Sequence, residues 1–366
     1  MNIIEKKPKM ITLLFLKSLV ILFICFVDCH ICNSQKVTID NESVPVEYYR
    51  LPDKPLDPEY TTYTSEIEAR FQSLSMTGLT ESSLIDQYLK LPGYKEVSSH
   101  GDVQIKASIG DFNVFGERTI SRRTKKKNKD GKEEVSVTYA LELKYEMPVG
   151  IKVWDKKGNT LDDEYIFSWS DQRTYTTSYY NSISELDSYW RYSRNSKIAD
   201  LQRDRINEGF GKIRDLINNY YGYKLTKENA KFETIGKKKH PDYEKYQNAI
   251  EAIRTAFKHM SPDKALDGIR KEVQPTLAFY DAQSKTINPK SKEEIKLQHI
   301  NLYNQALAYY WLEVFDQAEH YAKEIQKIDP KDRDARRLLE DIESTKSSLE
   351  RADKKSRHGT MVSSKA

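Results

Sequence analysis

From Val135 the chain reads VSVTYALELKYEM. Val135, Val137, Tyr139, Leu141, Leu143, Tyr145 and Met147 share one parity, and mostly polar residues hold the other. A period of two predicts a strand with one buried face. The same parity resumes after Pro148 at Val149, Ile151 and Val153, so the strand bends or breaks at that proline. A turn at DKKGN (155–159) leads to the alternating Tyr165, Phe167 and Trp169, which predicts a hairpin. Val103, Ile105, Ala107 and Ile109 alternate, as do Tyr63, Ile67, Ala69 and Phe71. Between these two segments, TESSLIDQYLKLPG predicts a short helix capped by Thr80 and stopped at Pro92-Gly93. The segment VPVEYYRLPDKPLDPEY is punctuated by prolines and reads as extended chain along a sheet edge or the surface.

Helical spacing follows. SISE (182–185) is a capping box leading into Leu186, Tyr189 and Trp190. Ile206, Phe210, Ile213 and Ile217 then mark a second helix, ending near YYGY with Gly222 in a left-handed conformation. Gly209 and Gly211 inside that helix weaken it, which close packing against the sheet would explain. Beyond the basic linker GKKKHPDY, Tyr246, Ala249, Ile250, Ile253, Ala256 and Phe257 form one stripe. Ser261-Pro262 reads as the cap and first position of the next helix, carrying Ala265, Leu266, Ile269 and Val273 until Pro275 kinks or stops it. Ser291 with Glu294, and Asp316 with Glu319, have the spacing of capping boxes.

Residues 299–332 resemble a tetratricopeptide repeat. Asn304, Ala306, Ala308, Tyr309, Tyr310 and Leu312 match its first helix, Phe315 and Asp316 the turn, Ala318 and Tyr321 the second helix, and Asp329-Pro330 the exit. Gln305 and Ile325 stand where that pattern carries other side chains. The resemblance implies hairpin packing by Ala306, Tyr309, Leu312, Phe315, Ala318, Tyr321 and Pro330, and a surface that binds other proteins or orders an assembly. The 243–273 helix pair fits the pattern more loosely, and Ala335, Leu338, Leu339 and Ile342 suit a final capping helix. The expected fold is α+β: a mainly antiparallel β-sheet domain with packed helices over 36–235, a short tetratricopeptide-like hairpin domain over 242–350, and a flexible tail from 351 to 366.

The chain's ends and charge add a compartment. Residues 1–35 place Lys6, Lys7 and Lys9 ahead of an apolar run from Ile11 to Val27, the order of a secretory signal peptide cut after Gln35; an uncleaved anchor is the rival reading. A lipoprotein is disfavoured because Phe26 follows Cys25. All three cysteines lie in this leader, so the cut chain has no disulfide, thiolate nucleophile or cysteine-based zinc site. The leader holds four lysines against Glu5 and Asp28, and removing it lowers the formal +4 by two. That balance is not one of a general polyanion binder, so no nucleic acid is expected. The expected location is the periplasm or the outer membrane of a Gram-negative bacterium.

Catalytic signals are sparse. His100, His240, His259, His299, His320 and His358 are scattered, without HExxH or another close ligand pair. GFGK at 209–212 lacks the spacing of a phosphate loop, and no GxSxG elbow occurs. Asp162, Asp163 and Glu164 crowd together but lack calcium-loop spacing and read as a solvated loop. No catalytic residue, metal or cofactor is therefore expected. Two surfaces remain as candidates. Arg122, Arg123, Lys125, Lys126, Lys127 and Lys129 lie toward the tip of a long hairpin, which reads first as a soluble, disordered turn whose charges discourage edge pairing and alternatively as a contact for an anionic membrane or acidic partner. Tyr165, Phe167 and Trp169 on one strand face read first as core, and alternatively as a sugar-stacking platform. The leading expectation is a non-catalytic envelope scaffold with a protein partner. The alternative is a glycan- or lipid-binding accessory module in which the β domain recognises the ligand.

Overall fold

The computed structural model describes residues 36–69, 74–127, 129–287 and 289–362; the leader and Phe71 lie outside them. The fold is α+β. Its strands are β1 (Ile39–Arg50), β2 (Thr62–Ala69), β3 (Lys95–Glu96), β4 (Val103–Ile109), β5 (Asn113–Lys127), β6 (Glu133–Glu146), β7 (Val149–Asp155), β8 (Thr160–Phe167), β9 (Arg173–Thr176) and β10 (Lys224–Ile235). Its helices are α1 (Glu81–Tyr88), α2 (Ile183–Tyr220), α3 (Tyr243–Lys258), α4 (Asp267–Thr286), α5 (Lys292–Trp311), α6 (Phe315–Ile328) and α7 (Arg333–Arg351).

The described residues divide into two compact units, one formed within 48–226 with 347–362 and the other within 36–47 with 227–346. The first holds a five-stranded sheet in the order β3-β2-β4-β7-β8 and a three-stranded sheet in the order β5-β6-β9. β2 runs parallel to β3 and β4, with α1 supplying the crossover, and the remaining neighbours in both sheets are antiparallel. The chain breaks at Pro148: β6 belongs to the smaller sheet and β7 to the larger. Val103, Ile105, Ala107, Val149, Ile151 and Val153 then face the core, where they meet Ile206, Phe210, Ile213 and Ile217.

Those last four lie on α2, one continuous 38-residue helix instead of the two expected. Its polar and largely exposed stretch over 191–197 disguises the continuity. Leu186 and Trp190 near its start pack on Leu141, Leu143 and Tyr145 of the smaller sheet. Its last turns cover the larger one. Gly209 sits at the closest approach, since a Cβ there would lie 2.9 Å from Val149 Cγ1, whereas at Gly211 it would meet nothing within 4 Å. Gly209→Ala is expected to destabilise by about 1–3 kcal/mol through overpacking, and Gly211→Ala to stabilise by about 0.5–1 kcal/mol; chemical denaturation of the two variants checks the contrast. Gly222 does not adopt the left-handed conformation. The amides of Tyr221 and Gly222 both turn back to the Ile217 carbonyl, closing the helix without it.

In the second unit consecutive helices α3 to α6 pack as neighbours. The whole α3 stripe, Tyr246, Ala249, Ile250, Ile253, Ala256 and Phe257, is buried. α4 begins at Asp267, not at Ser261-Pro262, whose segment forms turns. Pro275 lies inside α4 without ending it, because both it and Lys271, whose carbonyl loses its partner, are exposed and water can satisfy that group. Ser291 and Glu294 form the expected capping box. Asp316 and Glu319 do not: α6 starts at Phe315 with Val314 as cap, and both acids pair with Lys346 instead.

Three segments group differently from the expected domains. Residues 36–47 and 227–235 belong with the helices, not with the β-rich part. The reason is β10, whose polar first half hid it in the sequence. β10 pairs with β1, and its buried end, with Phe232 against the Phe257 ring, enters the helical core. The expected tail is packed as far as Val362. The Arg357 carbonyl accepts from the Tyr49 amide and its guanidinium stacks on Tyr48, with His358 and Met361 buried.

Candidate functional site

In the helical unit a cluster of ionised groups converges around His299. One face of α5 carries Ile295, Lys296, His299 and Tyr303, at the spacing of successive helical turns. Asn304, on the next turn and fully buried, accepts from the Glu233 amide at 2.8 Å and donates to the Glu233 carbonyl at 2.7 Å. This two-point grip holds β10 so that the Glu233 side chain reaches His299 Nδ1 at 2.8 Å. From the other side, α6 ends at Ile328, and a turn closes from the Asp332 amide to the Asp329 carbonyl. Asp332 caps α7 by accepting from the Ala335 amide at 2.8 Å, and its second oxygen meets His299 Nε2 at 2.8 Å.

With a carboxylate on each ring nitrogen, the imidazole is held as an imidazolium donating in both directions. Burial opposes the charge, but the hydrogen bond and charge of Glu233, followed by Asp332, outweigh it and push the His299 pKa up to about 9. Tyr303 stacks on the ring, centroids 5.8 Å apart. Neither nitrogen is left to accept a proton from a nucleophile or to bind a metal ion. Among the described residues no group of three His, Cys, Asp or Glu is arranged to hold a metal.

The triad forms one wall of a cavity of about 270 Å³. Ile39, Ile295, Ile325 and Ile328 give it apolar surface, while Glu233, Asp329, Asp332 and Asp334 make it acidic. Lys296 also lines it, but its ammonium is engaged by the Val37 carbonyl at 2.8 Å and by Glu293. The volume is just below the range of sites for small organic ligands and suits one or two side chains of a peptide.

Of the residues expected to pack the α5–α6 hairpin, Ala306, Leu312 and Ala318 are buried and Tyr309, Phe315 and Tyr321 are half-buried. Tyr309 and Tyr321 stack in parallel at 5.7 Å. Pro330 is exposed beyond the end of α6. The Glu233–His299–Asp332 bridge escaped sequence reasoning because its members lie 66 and 33 residues apart. The one local signal was His299 four residues before Tyr303 on a buried helix.

The aromatic platform does not form. A bulge between Val149 and Gly150 sets Phe167 opposite Val149 and Tyr165 opposite Gly150, turning the two rings to different environments. Phe167 is buried beneath the Arg205 guanidinium at 3.3 Å, Tyr165 is 66% exposed, and Trp169 sits in the turn after the strand. Asp162, Asp163 and Glu164 lie on β8, not in a loop, and Asp162 and Asp163 pair with Lys54 and Lys152. Arg122, Arg123, Lys125, Lys126 and Lys127 line β5 itself, all exposed, and Lys129 is in the turn beyond it.

Two other cavities offer less. One of about 230 Å³ holds Lys54, Asp57, Tyr60, Asp155 and Lys157, but these pair among themselves and with Asp162. Another of about 490 Å³ is lined by exposed Lys36, Lys237, Lys238 and Lys239 and by buried His240, whose Nδ1 accepts from the Asp242 amide. No family model matches the chain, and no curated protein matches it either.

Proposed function

We propose that the protein is a non-catalytic binding or assembly-scaffold component of the bacterial cell envelope, and that its helical unit, which resembles tetratricopeptide hairpins, holds a segment of a partner protein. The observation that carries this reading is the cavity beside His299, lined by apolar Ile295, Ile325 and Ile328 and by acidic Asp329 and Asp334. Such a lining suits a segment that sets a Lys or Arg beside an aliphatic residue. The imidazolium supports a binding role over a catalytic one, because both its nitrogens are committed to carboxylates. The envelope assignment rests on the leader sequence. Among the described residues no helix is long and apolar enough to cross a membrane.

Fluorescence anisotropy with short labelled peptides tests the reading. Peptides alternating Leu with Arg are expected to bind, and the same peptides with Glu in place of Arg are not. Asp329→Asn with Asp334→Asn is expected to weaken binding by about fivefold per carboxylate, the effect of roughly 1 kcal/mol each. Equal affinity for the basic and acidic peptides, or no change in the double variant, contradicts it.

A further inference from the structure

The β5–β6 ribbon continues well past the core that anchors it. β9 pairs with β6 only from Glu142 to Tyr145, and a single bridge between Tyr139 and Tyr180 extends that contact. Beyond it the ribbon is two-stranded up to Lys127 and Glu133. Along β6 the apolar parity does not stop where its cover stops. Leu141, Leu143 and Tyr145 lie under Leu186 and Trp190 of α2, but Val137 and Val135 carry the same face outward, with Val135 53% exposed.

The register decides what surrounds these valines. Val137 pairs with Arg123, Val135 with Lys125, and Glu133 with Lys127, so one face carries three cations and two valines, with Glu133 reaching the Lys125 ammonium at 3.2 Å. On the opposite face Arg122 stacks on the Tyr179 ring, 4.8 Å from its centroid. Cations on an edge strand discourage pairing with other chains, yet that role does not account for valines left in water beside them. A face that alternates ammonium or guanidinium groups with small aliphatic side chains matches the boundary between lipid headgroups and acyl chains, where the cations meet phosphate and the valines leave water. A single-stranded nucleic acid fits less well, because Arg123, Lys125, Val135 and Val137 provide no ring for a base to stack on.

We infer that this face of the ribbon docks the protein on an anionic lipid surface. The inference is independent of the peptide reading, since it concerns the other unit. Co-sedimentation of the protein as purified tests it, using vesicles of phosphatidylcholine alone and vesicles in which about a third is phosphatidylglycerol. Binding is expected only to the anionic vesicles and to fall with added salt. Replacing Lys125 and Lys127, the two lysines of this face, together by Gln is expected to weaken it about thirtyfold. Val135→Ser, which removes no charge, is expected to weaken it about fivefold. Unchanged circular dichroism and melting in both variants show that the ribbon is intact, and the leader is common to all the proteins compared. Equal binding to neutral and anionic vesicles overturns the inference. So does wild-type vesicle binding by Val135→Ser. Loss of heparin binding in the lysine variant with vesicle binding intact also overturns it, and assigns the face to a soluble polyanion.

Discussion

His299→Ala is expected to lower the stability of the helical unit by about 3 kcal/mol at neutral pH, in the range for breaking one side of a buried ion pair. The variant leaves Glu233 and Asp332, 8% and 14% exposed, facing an empty space with no cation between them. The effect depends on pH with a definite sign. His299 has a folded pKa of about 9 against an ordinary value of 6.5, so the folded state binds the proton more tightly than the unfolded one. Its contribution is complete below about 6.5 and is lost as pH rises through 9. The wild-type protein should therefore become less stable across that window, and His299→Ala should lack this component of the slope. Denaturant titrations at several pH values, with hydrogen exchange reporting on α5, measure both. Parallel slopes for the two proteins would remove the charged bridge from the account.

Asn304→Ala is expected to cost a similar amount, about 2–4 kcal/mol. Its side chain satisfies both the N–H and the C=O of Glu233 on the edge of β10 away from β1, and alanine leaves two buried backbone groups without partners. Asn301, one turn earlier, makes a useful comparison. Its carbonyl oxygen accepts from Tyr246 at 2.7 Å, but it grips no strand. Asn301→Ala should therefore cost less, and only Asn304→Ala should speed hydrogen exchange at the Glu233 amide. Because the same grip positions the Glu233 carboxylate, Asn304→Ala should also lower the His299 pKa. A loss under 1 kcal/mol with unchanged exchange at Glu233 would show that β10 is held by other contacts.

The parts of this architecture legible in the sequence are those where one element has one buried face. The β4 and β7 stripes, the α3 stripe and the Ser291 capping box all stand where periodicity and cap chemistry put them. Reading failed where an element serves two surroundings. The polar stretch of α2 over 191–197 hid one helix beneath the appearance of two, and β10 is polar over the half that lies outside the helical core. Phe167 alone of its stripe reaches the core, because the bulge beside Gly150 breaks the period of two that its alternation with Tyr165 and Trp169 assumes. The basic ribbon was visible, but the pairing of Arg123 with Val137 and Lys125 with Val135 needed the cross-strand register. The His299 bridge was hidden for a simpler reason: it joins a strand, a helix and an interhelical turn, and no local pattern links three such places.

The helical unit thus combines a charged bridge with an adjoining cavity lined by both isoleucines and carboxylates. Fixed donors and acceptors of this kind lose little freedom when a ligand arrives, which favours binding by a preformed site. The most direct test follows the imidazole of His299 by nitrogen-15 nuclear magnetic resonance while the Leu–Arg peptide is added. The account predicts that its ring signals move in a saturable way with that peptide and stay still with the Leu–Glu peptide. Saturable peptide binding that leaves the His299 signals unmoved would contradict it.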